Sequence, residues 1–144
     1  FPAGGDAGQL EEQFHISENV YAAGMYNAES AGYRQFVSDL EAHEPKADPS
    51  DQSAMAWLAV KLFAKVANDA PEVSRSAVLS GLNGLKSFDT DGMTPVLDFT
   101  KPNPALGGAL PRLFNTTVVP AKLEDHKFVQ VESGFVDIFV APKG

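Results

Sequence analysis

Apolar positions recur at helical spacing through the first half of the chain and then give way to short runs broken by turn residues. Tyr33, Phe36, Val37 and Leu40 fall at i, i+3, i+4 and i+7, one stripe of an amphipathic helix. Glu29 and Ser30 stand ahead of it, and Pro45 and Pro49 end it, since proline cannot continue a helix. Met55, Leu58, Ala59, Leu62, Phe63 and Val66 predict a second, longer helix, with Ser50 or Asp51 supplying the N-cap oxygen and Pro71 just past its end. A third starts at Ser74 and runs through Val78, Leu82 and Leu85. Its Gly81 and Gly84 each cost ~1 kcal/mol against alanine, so this helix is either weak or closely packed.

The strands frame the helices. Asn19 to Tyr26 has few charges and predicts a short buried strand. After Ser87, Pro95–Phe99, Phe114–Val119, Phe128–Val131 and Phe135–Val140 are strand candidates, with Glu124–Lys127 as a hairpin turn. The order, a strand, three helices, then short strands, is not an alternating βαβ sheet. The front strand has no parallel neighbour that a crossover would supply, so its edge is expected to want a partner, either self-association or polypeptide absent from this chain.

Composition narrows the classes. The 144 residues are 44% hydrophobic and 21% charged, enough for one packed domain. A formal charge of -8 repels phosphate backbones, which argues against nucleic-acid binding. Absence of cysteine removes disulfides, thiolate nucleophiles and Cys-based zinc sites. No apolar run approaches the ~18 residues of a membrane span. The opening Phe1-Pro2-Ala3-Gly4-Gly5-Asp6 lacks the basic and apolar regions of a signal peptide, so export would imply a leader already removed.

Catalytic signatures are missing. No serine lies in a G-x-S-x-G elbow, and Gly81-Leu82-Asn83-Gly84 lacks the Lys-Ser/Thr of a phosphate loop. His15, His43 and His126 sit in unrelated segments with no i, i+4 pair, giving no metal-ligand spacing. Asn115-Thr116-Thr117 is a formal glycosylation sequon, without meaning in a bacterial source. No enzyme activity, cofactor or metal is expected.

Several stretches, in one order, resemble the C-terminal part of type I solute-binding proteins that serve branched-chain amino acid ABC importers. Glu18-Asn19-Val20-Tyr21 is similar to a strand the group often writes Glu-Gly-Val-Tyr, and Tyr33–Leu40 resembles the helix after it. Ser53–Phe63 resembles the group's long helix, and Ser74–Leu79 the short one that follows. Phe88-Asp89-Thr90-Asp91-Gly92-Met93-Thr94-Pro95 is close to an Asp-Thr-Gly-Gly-Leu-Thr-Pro turn, and Asp125–Val131 resembles a closing hairpin. Asn19 and His126 stand where glycine is usual.

The resemblance implies an α/β fold, the C-terminal portion of a two-lobe clamp that closes on a small ligand and is recognised by a membrane permease. Residues 1–48 would be the remnant of the second lobe, and 49–144 the helices and strands returning across the hinge. The ligand would be an amino acid or similar small polar metabolite, captured outside the cytoplasm, in the periplasm or on a cell-surface lipoprotein. The alternative is a ligand-sensing regulatory domain of the same fold.

Four residues are candidates for the ligand. The resemblance places a carboxylate ahead of the first strand on the ligand's ammonium, which Asp6 could supply; by its surroundings Asp6 is a solvated loop acid. Asp51 and Gln52 open the helix that lines the cleft in the group, yet a carboxylate there is already explained by capping and the helix dipole. Glu18 precedes the strand and could face the cleft or simply water. Trp57 beside its apolar stripe is a core residue before it is a ligand platform.

Overall fold

The computed structural model describes residues 20–47, 49–125, 127–131 and 134–140. Strand β1 (Tyr21–Gly24) leads into helices α1 (Ala31–His43), α2 (Asp51–Asp69) and α3 (Arg75–Gly84). A 3-10 turn (Ala105–Gly108) follows, then β2 (Thr117–Glu124), β3 (Lys127–Gln130) and β4 (Val136–Asp137). The fold is mixed α/β, three helices with a small antiparallel sheet.

Each helix begins at a serine. Ser30, Ser50 and Ser74 hold extended backbone and accept the N–H groups of Tyr33, Ser53 and Ala77 at 3.0, 3.2 and 3.2 Å. That satisfies one otherwise orphaned donor per helix. At α2 the arrangement is reciprocal, because Ser53 Oγ accepts the Ser50 N–H at 2.9 Å. The cap is therefore Ser50, and Asp51 is the first helical residue. α1 stops where the Glu44 N–H closes on the Leu40 carbonyl at 2.7 Å, immediately before Pro45.

α3 resolves its glycine question at Gly81, where a β-carbon would stand 2.5 Å from Val66 Cγ1 of α2. The absent side chain lets the two helices approach. Gly84 faces open space.

The sheet corrects several strand expectations. β1 has a partner, antiparallel rather than parallel: Tyr21 pairs with Lys122 and Gly24 with Val119. On its other side β1 carries no strand among the described residues. The Phe114–Val119 run begins its strand only at Thr117 and continues to Glu124, through Pro120. Pro95–Phe99 makes only the isolated Phe88–Leu97 bridge, and of Phe135–Val140 only Val136–Asp137 is strand. The hairpin forms as expected, with Glu124 opposite Lys127 and Asp125 at φ 46°; His126 lies outside the described residues.

Register fixes which side chains share a face. Val119 and Leu123 are buried on one side of β2. The opposite side carries the rows Tyr21–Lys122–Val129, Ala23–Pro120 and Val118–Val136. Val131 continues the second row by donating its N–H to the Pro120 carbonyl at 3.1 Å. Tyr21, Val129, Val131 and Val136 on that side are exposed.

The main core sits under the helices. Tyr26, Tyr33, Phe36, Ala54 and Met93 are buried together, with Val37, Leu40, Trp57 and Leu58 packed against them. Phe36 meets Tyr33 and Trp57 edge to face, with centroids 5.4 and 6.0 Å apart. Trp57 is thus a core residue, anchored by its indole N–H donating to Asp39 Oδ2 at 2.9 Å. No described helix is long and apolar enough to cross a membrane.

Candidate functional site

Four segments converge beside the core: the end of β1 through Asn27, the N-terminus of α1, the N-terminus of α2, and the 88–95 turn. The turn is held by Thr90, whose hydroxyl accepts the Thr94 N–H at 2.8 Å and lies 3.0 Å from Thr94 Oγ1. Asp91 and Gly92 take φ 52° and 77°, and Asp89 Oδ1 accepts the Asp91 N–H at 2.9 Å. Left-handed backbone at two successive residues suits an Asp-Gly pair.

That geometry aims carbonyls at the neighbouring segments. The Asp91 carbonyl accepts the Gly32 N–H at 3.0 Å, and the Met93 carbonyl accepts the Asn27 N–H at 2.9 Å. Asn27 in turn presents its carbonyl to Ser30 Oγ at 2.7 Å. The most specific motif in the chain is therefore a staple joining the 88–95 turn to β1 and α1. Thr90, Thr94 and Ser30 are buried and hydrogen-bonded within it.

Asp51 is the buried acid of this region, 5% exposed at the first position of α2. Burying a carboxylate is costly unless dipoles or donors compensate, and a helix N-terminus supplies part of that compensation. Its charge acts on two phenols. Tyr26 and Tyr33 are both pushed above the ordinary 10.0, first by burial and then by the negative charge of Asp51. Both tyrosines therefore keep their protons as donors. A carboxylate near two protonated phenols can accept from an ammonium group while the phenols donate to an adjacent oxygen.

Of the expected ligand residues that are described, Asp51 joins this convergence. Gln52, its neighbour, is exposed on α2. Asp6 and Glu18 lie outside the described residues. Tyr26 and Tyr33 are the residues that sequence reasoning missed as companions of Asp51. In the sequence Tyr33 belongs to a helical stripe and Tyr26 to the end of the predicted strand, and neither pattern points to Asp51.

A hollow of about 470 Å³ lies elsewhere, between the 98–105 segment and the Phe114 to Val140 region. Its polar wall is structural: Asp98 Oδ1 accepts the Thr100 N–H, and Asp137 Oδ2 accepts the Thr116 hydroxyl at 2.9 Å. Among the described residues no group of three or more potential metal ligands comes together.

No family model, curated protein or solved structure matches this chain.

Proposed function

We propose that this chain is the C-terminal portion of an extracytoplasmic solute-binding protein, capturing an amino acid or similar small polar metabolite for an ABC importer. The observation that carries the reading is the burial of Asp51 within electrostatic reach of Tyr26 and Tyr33, near the N-termini of two helices. The order of motifs from Glu18-Asn19-Val20-Tyr21 to the Asp125–Val131 hairpin supports the same assignment.

In this reading Asp51 receives the ligand's ammonium, the phenols orient its polar atoms, and the staple built by Thr90 and Asp91 holds the N-terminus of α1 against the 88–95 turn. Closure by a second lobe would complete the cleft, and a membrane permease would recognise the closed form. A thermal-shift screen of amino acids against the polypeptide carrying both lobes tests it. Stabilisation by an amino acid that disappears in Asp51→Asn is expected. Stabilisation only by another metabolite class would replace the ligand assignment.

A further inference from the structure

The hollow between the 98–105 segment and the Phe114 to Val140 region plays no part at Asp51, yet it has the size and lining of a small-molecule site. Its volume of about 470 Å³ falls inside the roughly 300–1,000 Å³ of ligand pockets. Pro102, Leu113, Phe114 and Phe139 make its wall largely apolar, and Asp98 and Asp137 enter that wall from separate segments. Asn103 braces the frame. Its Nδ2 donates to the Leu113 carbonyl at 2.6 Å, and its Oδ1 accepts the Ala105 N–H at 2.7 Å.

Hydrogen bonds orient the two carboxylates without neutralising them. Asp137 is half-buried and accepts the Phe139 N–H and the Thr116 hydroxyl, both at 2.9 Å. It forms no ion pair among the described residues. A carboxylate served by neutral donors alone keeps its charge unanswered, and each of its oxygens retains acceptor capacity. Asp98 spends Oδ1 on the hydroxyl and N–H of Thr100, which hold its carboxyl below the ordinary 3.8; Lys101 and Lys86 reinforce this more weakly. Its Oδ2 meets the Lys101 ammonium only at 4.0 Å, too long for a hydrogen bond, and that lysine is 78% exposed.

We infer that this hollow binds a primary organic amine, with the ammonium on Asp137, Asp98 as the second carboxylate of the wall, and the hydrocarbon body against Phe114 and Phe139. An ammonium has three donors and no acceptor, which suits carboxylates whose remaining capacity is all acceptor. Aromatic rings in the same wall favour a cation further. Two carboxylates against one lysine leave the lining net negative, and the chain's charge of -8 concentrates cations near it. An anion of the same shape would be repelled, and a neutral molecule would leave Asp137 unanswered. The inference does not rest on the Asp51 reading.

Calorimetric titration of the full chain with phenethylamine tests it, beside 2-phenylethanol, which lacks the charge, and phenylalanine, which adds a carboxylate. Saturable binding of the amine is expected, with the alcohol and the amino acid at least about tenfold weaker. Asp137→Asn should weaken the amine by a similar factor, Asp98→Asn by less, and Asp51→Asn not at all. If Asp137→Asn fails to fold by circular dichroism, Phe139→Ala, at a residue 40% exposed, replaces it and should weaken the amine several-fold. No saturable binding of phenethylamine up to about 10 mM would overturn the inference. So would equal affinity for the alcohol, phenylalanine binding as tightly as the amine, or wild-type affinity in Asp137→Asn or its replacement. A loss in Asp51→Asn would place the amine at the other site and overturn it too.

Discussion

Gly32 lies so close to Thr90 that a β-carbon on the glycine would overlap the Thr90 carbonyl oxygen. This contact seats the 88–95 turn on the first turn of α1, and the Gly32 N–H bonded to the Asp91 carbonyl at 3.0 Å fixes it. Backbone stands against backbone there, so no rotamer can relieve an added methyl.

Gly32→Ala should therefore destabilise the fold towards the upper end of the ~1–3 kcal/mol typical of forced overpacking. Gly84→Ala, at the open end of α3, should instead be neutral or stabilise by up to ~1 kcal/mol through helix propensity. Urea unfolding of the two variants checks both signs. Equal effects would mean that the staple does not constrain α1.

The start of α2 offers a second measurement. Ser50→Ala removes the acceptor for the Ser53 N–H and one half of the reciprocal cap. A loss of about 1 kcal/mol is expected from the same unfolding assay. Asp51→Asn leaves that cap intact, so a ligand-binding defect in it would not be a capping defect.

The tyrosines give a pH prediction. Their phenols are held above 10.0 in the folded chain, by burial first and Asp51 second. The folded state thus keeps protons that the unfolded state releases. The associated stability is fully present below the unfolded phenol value and is lost as pH rises through the folded one. Asp51→Asn should lower both phenol titrations without returning them to 10.0, because burial remains. Phenolate absorbance against pH measures this directly; unchanged titrations would separate Asp51 from the tyrosines.

Asp39 behaves in the opposite sense. The Trp57 indole N–H, then the Gln35 amide, hold its carboxyl below the ordinary 3.8. Its contribution is present above the unfolded carboxyl value and lost as pH falls through the folded one. Trp57→Phe should raise the Asp39 titration in a carboxyl-observed NMR experiment, and an unmoved value would show that the hydrogen bond is not formed in solution.

What the sequence disclosed tracks how local each cause is. Ser30, Ser50 and Ser74 mark three helix starts because capping acts within three residues, and Pro45 ends α1 for an equally local reason. Strands depend on partners far along the chain. Tyr21 pairs with Lys122, some hundred positions away, and no local pattern states that pairing or its direction. Pro95–Phe99 has strand composition yet finds only the Phe88–Leu97 bridge. Asp51 was legible as a charged residue at a helix start, but its burial was not, because burial comes from the convergence of β1, α1 and the 88–95 turn. Tyr26 and Tyr33 acquire their relation to Asp51 only through that convergence.

The central claim is that Asp51, whose charge acts on Tyr26 and Tyr33, receives the ammonium of a small zwitterion. Calorimetric titration of amino acids against their deaminated carboxylic acid analogues, on the two-lobe polypeptide, tests it most directly. The account predicts binding of an amino acid, no binding of its analogue lacking the amine, and at least a hundredfold loss in Asp51→Asn, in line with removing a charge-assisted hydrogen bond worth about 3 kcal/mol. Equal affinity for the two ligands, or an Asp51→Asn variant that binds as tightly as the wild type, would contradict it.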